Sequence, residues 1–207
     1  MMRSLGSTLA WWLLAAALGL LLGGATSFAQ LLLPDGLRSF ANSNGGWTLL
    51  AFAVTAVCMR WPSARRWWIA VGMGLAVFHA LLQGYAVVST LRGFPDGYGP
   101  GDLYFVIATL AGPVLGLAGL AWAAGSGALR ACGTAVVAAV MVGDGVWGLL
   151  RVVATTGWLY WALSIVIGVA ILAWTVVGRL DRARDRVLAV ALTAAGAAAY
   201  ALAFSAL

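Results

Sequence analysis

The sequence predicts an all-α fold, a polytopic bundle of about seven transmembrane helices, and three observations predict it. Of 207 residues, 63% are hydrophobic and 9% charged, where a soluble domain carries about a quarter charged residues. The apolar residues gather into runs close to the roughly 20 residues that a helix needs to cross a hydrocarbon core about 30 Å thick. The arginines collect in alternate loops, as the positive-inside rule requires. With a mean hydropathy of +0.99, the chain has more apolar surface than a soluble interior can hide. Its partner is the lipid bilayer.

Taken in order, the expected spans are 9–33, 46–59, 67–91, 103–124, 131–154, 158–177 and 187–207, in one integral membrane domain. The first has two readings. Its basic start, apolar middle and small residues before Gln30 resemble a secretory signal cleaved after Ala29, which leaves six spans. Against that, the apolar run continues to Leu33, and Ala15, Gly19 and Gly23 form a small-residue stripe suited to a packed helix. The second span is short, and "PDGLRSFANSNGG" before it reads as a piece that dips into the membrane. Irregular backbone at such depth needs protein or a wet cavity to satisfy it. In the fourth span, "GPVLGLAG" aligns Ala108, Gly112 and Gly116 on one face of a close-packed, proline-bent helix. The short connections leave no room for a soluble module.

Nine arginines fall on one side of this layout: Arg3, Arg60, Arg65, Arg66, Arg130, Arg179, Arg182, Arg184 and Arg186. Arg38, Arg92 and Arg151 fall on the other. The imbalance predicts a cytoplasmic N-terminus, an outer C-terminus and a bacterial plasma (inner) membrane location. Tryptophans 11, 12, 61, 67, 68, 122 and 174 mark the inner boundary, and Trp47, Trp158 and Trp161 the outer one. Trp147 belongs to neither belt.

The ionisable residues exclude several functions. All twelve basic residues are Arg and all six acids are Asp, with one histidine, His79. Without Lys there is no retinal or pyridoxal Schiff base. One His cannot supply a bis-His haem or an H-E-x-x-H zinc site. Cys58 and Cys132 stand apart and read as small apolar fillers. No cofactor and no metal are expected, and the charge of +6 reads as membrane orientation rather than nucleic-acid binding. An intramembrane aspartyl protease needs a second deep Asp and a Gly where Met141 stands, and no serine has a nucleophile-like context beside His79. The expectation is therefore not an enzyme.

Polar residues converted to depth cluster on the outer side. Asp144, Trp147 and Arg151 share one stripe of the fifth span, with Gly143, Gly145 and Gly148 thinning the helix around the acid. His79 and Gln83 lie at outer depth in the third span, Gln30 near the end of the first, and Asn42 and Asn44 before the second. Asp102 and Tyr104 open the fourth. A charge unpaired in the bilayer costs from about 2.5 kcal/mol upward, so Asp144 is expected to be neutral, paired or facing water. Arg151 and His79 are its two candidate partners. The expected substrate-binding set is Asp144, Arg151, Trp147, His79, Gln83, Gln30 and Asn44.

The stretches "GATSFAQLLLPDGLRSFANSNGGW", "GPVLGLAG" and "GDGVWGLL" resemble a family of bacterial multi-pass membrane proteins of unknown function. That likeness implies class and location only. The layout is also similar to the S components of energy-coupling-factor vitamin transporters, which implies an outward pocket beneath residues 34–46 and a docking face at Ala15, Gly19 and Gly23. Together these give a small-molecule binding or transport component, with a coupling subunit or a homo-oligomer as partner. Two alternatives stand beside it: a scaffolding subunit without ligand, and a proton-coupled carrier using Asp144 and His79.

Overall fold

The computed structural model describes residues 2–206, with their side chains from Gly6 onward. Its helices are α1 (Met2–Leu32), α2 (Asn44–Cys58), α3 (Trp67–Leu91), α4 (Leu103–Ala124), α5 (Gly127–Arg151), the single turn α6 (Val153–Thr156), α7 (Leu159–Gly178) and α8 (Ala183–Ser205). Short 3-10 segments, Asp35–Asn42 and Pro62–Ala64, flank α2. No strand occurs among the described residues. Among the described residues, six helices are long and apolar enough to cross a membrane, and α2, of 15 residues, is a shorter apolar seventh. The chain is an all-α, multi-pass membrane-helix bundle.

The third and fourth spans fall where their hydropathy predicts. Helix α5 starts earlier than expected, at Gly127, and stops at Arg151. Helix α8 likewise begins before the apolar run, at Ala183, with Asp185 in its first turn, where an acid opposes the helix dipole favourably. Leu207, the last residue of the expected seventh span, lies outside the described residues. Helix α1 continues unbroken through Ala29 and Gln30 to Leu32.

The core is built around α2. Its Trp47, Ala51, Phe52, Val54 and Ala56 are buried with Met73, Val77 and Leu81 of α3 and with Leu115 and Ala118 of α4. Lipid tails are as apolar as leucine, so close van der Waals approach has to hold such helices together. Glycine supplies it. A Cβ on Gly74 of α3 would lie 1.9 Å from the Gly112 carbonyl oxygen of α4, and one on Gly23 would lie 2.0 Å from the Leu81 carbonyl oxygen of α3. The Ala15–Gly19–Gly23 stripe is thus consumed inside the chain, packing α1 on α3. This corrects its reading as a face for a coupling subunit.

At one end of the bundle the arginines also cap helices. Arg65 donates to the Met59 carbonyl at 3.0 Å, Arg130 to that of Arg179 at 3.1 Å and Arg186 to that of Leu180 at 2.7 Å. Met59 and Arg179 are the C-caps of α2 and α7, and Leu180 follows the latter, so these carbonyls at the helix ends have no intrahelical partner. The opposite end carries the 3-10 segment Asp35–Asn42, the 92–102 loop and α6. It holds the site.

Candidate functional site: a chamber at the start of α2

Helix α2 begins below the end of its neighbours. Gly45 meets Asp144, which stands seven residues, about 10 Å at 1.5 Å per residue, from the end of α5. A helix N-terminus at such depth presents unpaired N–H groups that must be satisfied. Ser43 caps α2, its Oγ accepting from Gly46 N–H at 3.0 Å. Asp144 Oδ2 accepts from Gly45 N–H at 3.0 Å. The carboxylate therefore faces the positive end of the α2 dipole, where an anion is stabilised.

Two tyrosines complete the shell. Tyr200 of α8 donates to Asp144 Oδ1 at 2.9 Å, and Tyr160 of α7 donates to Oδ2 at 3.4 Å. Tyr160 is also hydrogen-bonded to Ser43 Oγ. One proton arrangement satisfies every group: Gly46 N–H to Ser43, Ser43 to Tyr160, Tyr160 to Asp144. Asp144 is 1% exposed, and through it α5 is tied to α2, α7 and α8. Only glycine fits at position 45, because a Cβ there would stand 2.7 Å from Asp144 Oδ2.

Above this cluster lies a cavity of about 150 Å³, a size that in an engineered protein admits benzene. Trp47, Tyr98 and Tyr104 make one wall, with Trp47 6.4 Å from Tyr98 and 6.5 Å from Tyr104 between ring centroids. Trp147, Trp161 and Phe204 make the other, the two indoles meeting edge to face at 6.1 Å. The indole N–H groups are spent on the protein: Trp47 donates to Ala41 O, Trp147 to Phe204 O and Trp161 to Thr156 Oγ1. Asn42, Ser43, Asn44 and Asp144 supply the polar lining, and among the described residues no arginine joins them. Burial, and then the neighbouring Asp96 carboxylate, push the Tyr98 phenol above its ordinary range, and its hydroxyl donates to Asp96 Oδ2 at 3.1 Å.

Of the residues expected from sequence, Asp144, Trp147 and Asn44 meet at this cavity. The others do not. Arg151 is exposed at the last turn of α5 and does not partner Asp144, since seven residues of helix carry it toward the surface. His79 is paired with Thr109 Oγ1 at 3.0 Å and packs on Phe105, so it faces α4. Gln83 donates to the Tyr98 carbonyl at 3.0 Å and thereby holds the loop that carries the chamber's Tyr98. Gln30 accepts from Tyr85 at 2.8 Å and lines a separate surface recess with Arg38 and Arg92. The pairing of Asp144 with Arg151 or His79 is thus corrected: its partners are a helix terminus and two phenols. Arg151→Ala is expected to leave thermal stability within about 0.5 kcal/mol of the parent, the usual effect of a surface change; a larger loss in a melting experiment would restore the ion pair.

Sequence reasoning missed Tyr160, Tyr200 and Gly45, and placed Trp47 and Trp161 in an interfacial belt although both are buried. A tyrosine near the end of a span carries no mark separating an interfacial anchor from an interior donor. Among the described residues no group of three or more His, Cys, Asp or Glu converges as metal ligands would. No curated protein and no solved structure matches the chain. Residues 2–207 match the model of a family of unknown function, DUF6518, and the chain belongs to that family.

Proposed function

We propose that the chain is a small-molecule binding component of the bacterial inner membrane, with its N-terminus cytoplasmic and the chamber on the outer side. The orientation is supported by nine arginines at one end of the bundle against three at the other. The ligand group is a compact organic ammonium. One observation carries this: a buried carboxylate beneath an aromatic-walled cavity that contains no arginine. Aromatic faces attract cations through the ring quadrupole, and such cages suit quaternary ammonium groups. A carboxylate and no guanidinium select against anions. Uptake, if coupled, falls to a partner subunit or a second copy.

A binding role draws support from the engagement of the described candidates: His79 pairs with Thr109, Ser27 with Ser89, and Ser164 donates to the Met141 carbonyl. Titration of the purified chain in nanodiscs with tetramethylammonium, followed by tryptophan fluorescence, tests the proposal. Saturable quenching is expected, weakened about tenfold or more in Trp147→Ala, the loss of one desolvated cation–π contact. Sodium phosphate is expected to have no effect. An identical flat response to both salts would exclude the ammonium site.

A second reading, a ligand-free scaffold, draws on the same cluster, since both Asp144 oxygens already hold donors from three other helices. It differs in expecting Trp147→Ala to change melting alone. The proton-coupled carrier has less support, because His79 is not among the residues lining the chamber with Asp144.

A further inference from the structure

Resting on the reading of the chamber as a binding site, we infer that its ligand is an amphiphile, a single-chain lipid-like ammonium whose tail lies between α4 and α5. Toward the arginine-rich end these helices meet closely, where Gly133 of α5 abuts Ala118 and Trp122 of α4: a Cβ there would stand 2.6 Å from the Ala118 carbonyl oxygen. Beyond that contact the space between them is an apolar groove of about 380 Å³. Ile107, Ala111 and Val114 line it from α4, Val136 and Val140 from α5, and Thr48 from α2.

The groove and the chamber use consecutive positions on the same helix faces. On α5, Val136, Val140 and Asp144 are spaced four residues apart. On α4, Tyr104, Ile107 and Ala111 follow at three and four, the spacing of one helical face. On α2, Trp47 belongs to the chamber and Thr48 to the groove. The near edge of the groove, at Val140 and Ile107, therefore lies about one helical turn from the chamber residues Asp144 and Tyr104, and Val136 lies about 12 Å along α5 from the carboxylate. Its outer lip is open to the bilayer, with Leu110 68% and Val114 49% exposed. A bulk phospholipid would keep its headgroup at the interface. The polar chamber lies about 10 Å below the end of α5, so the occupant is a molecule whose head is drawn under the interface while its tail stays in hydrocarbon. Entry is lateral, between α4 and α5.

The experiment compares tetramethylammonium with dodecyltrimethylammonium on the full chain in nanodiscs of zwitterionic lipid, corrected for partition into empty discs. The long-chain ion is expected to bind at least about tenfold more tightly, from apolar area buried in the groove. Ala111→Trp, which fills the groove from a partly buried position on α4, is expected to abolish that gain and leave tetramethylammonium affinity unchanged. Val140→Phe provides the same test from α5 should the first variant fold poorly. A chain-length gain that survives both variants, or its absence in the parent, overturns the tail site while the chamber stands. Failure of both ions to bind overturns the chamber reading, and this inference with it.

Discussion

Asp144→Ala is expected to destabilise the bundle by roughly 2–4 kcal/mol, the sum of about three interhelical hydrogen bonds and the donors left unmet. The variant orphans Gly45 N–H, the Tyr200 hydroxyl and the Tyr160 hydroxyl together, all of which point at the vacated carboxylate. It also removes the negative charge opposite the α2 N-terminus. In detergent, a fall in melting temperature on the order of 10 °C follows from such a loss in a chain of this size. Asp144→Asn is expected to lie between, because its amide oxygen can keep the two bonds made to Oδ2 while its NH₂ group confronts the Tyr200 hydroxyl. Melting of Asp144→Ala within a degree or two of the parent, tracked by intrinsic fluorescence, would show that the acid does not tie these four helices.

Gly45→Ala approaches the same cluster from the other side. The added Cβ would stand 2.7 Å from Asp144 Oδ2, 3.2 Å from the Tyr160 hydroxyl and 3.3 Å from Ser164 Oγ. None of these atoms is a loose chain end. Asp144 is held by Tyr200, Tyr160 by Ser43, and Ser164 by the Met141 carbonyl. Relief requires the carboxylate to retreat from the very N–H it accepts, so one substitution costs both a clash and a hydrogen bond, on the order of 1–3 kcal/mol. The double variant Gly45→Ala, Asp144→Ala distinguishes this cause from a general intolerance of alanine in α2. Removing the carboxylate removes the clash, and the double variant is expected to lose less than the sum of the two single losses. Strict additivity would locate the damage elsewhere.

Legibility from sequence divided by the range of the interaction. Hydropathy and the period of a helix are local, and they recovered spans such as 67–91 and 103–124. The shortness of α2 was equally readable, since twelve or so apolar residues after "PDGLRSFANSNGG" cannot cross a bilayer straight. Depth along a helix is local too, which is why Asp144, Trp147 and Asn44 could be assigned to one layer. Depth says nothing about azimuth. His79 and Gln83 lie at comparable depth, yet α3 turns them toward Thr109 and the Tyr98 carbonyl.

What the sequence determined by itself was the solvent, the helical class, the end of the bundle at which polarity gathers, and the acid at its centre. These follow from composition and from a fixed rise per residue. Only the tertiary structure decided what the acid touches. Its three partners come from positions 45, 160 and 200, on three different helices. Bringing them together depends on how each helix is rotated about its own axis, which close glycine packing sets and no single segment encodes.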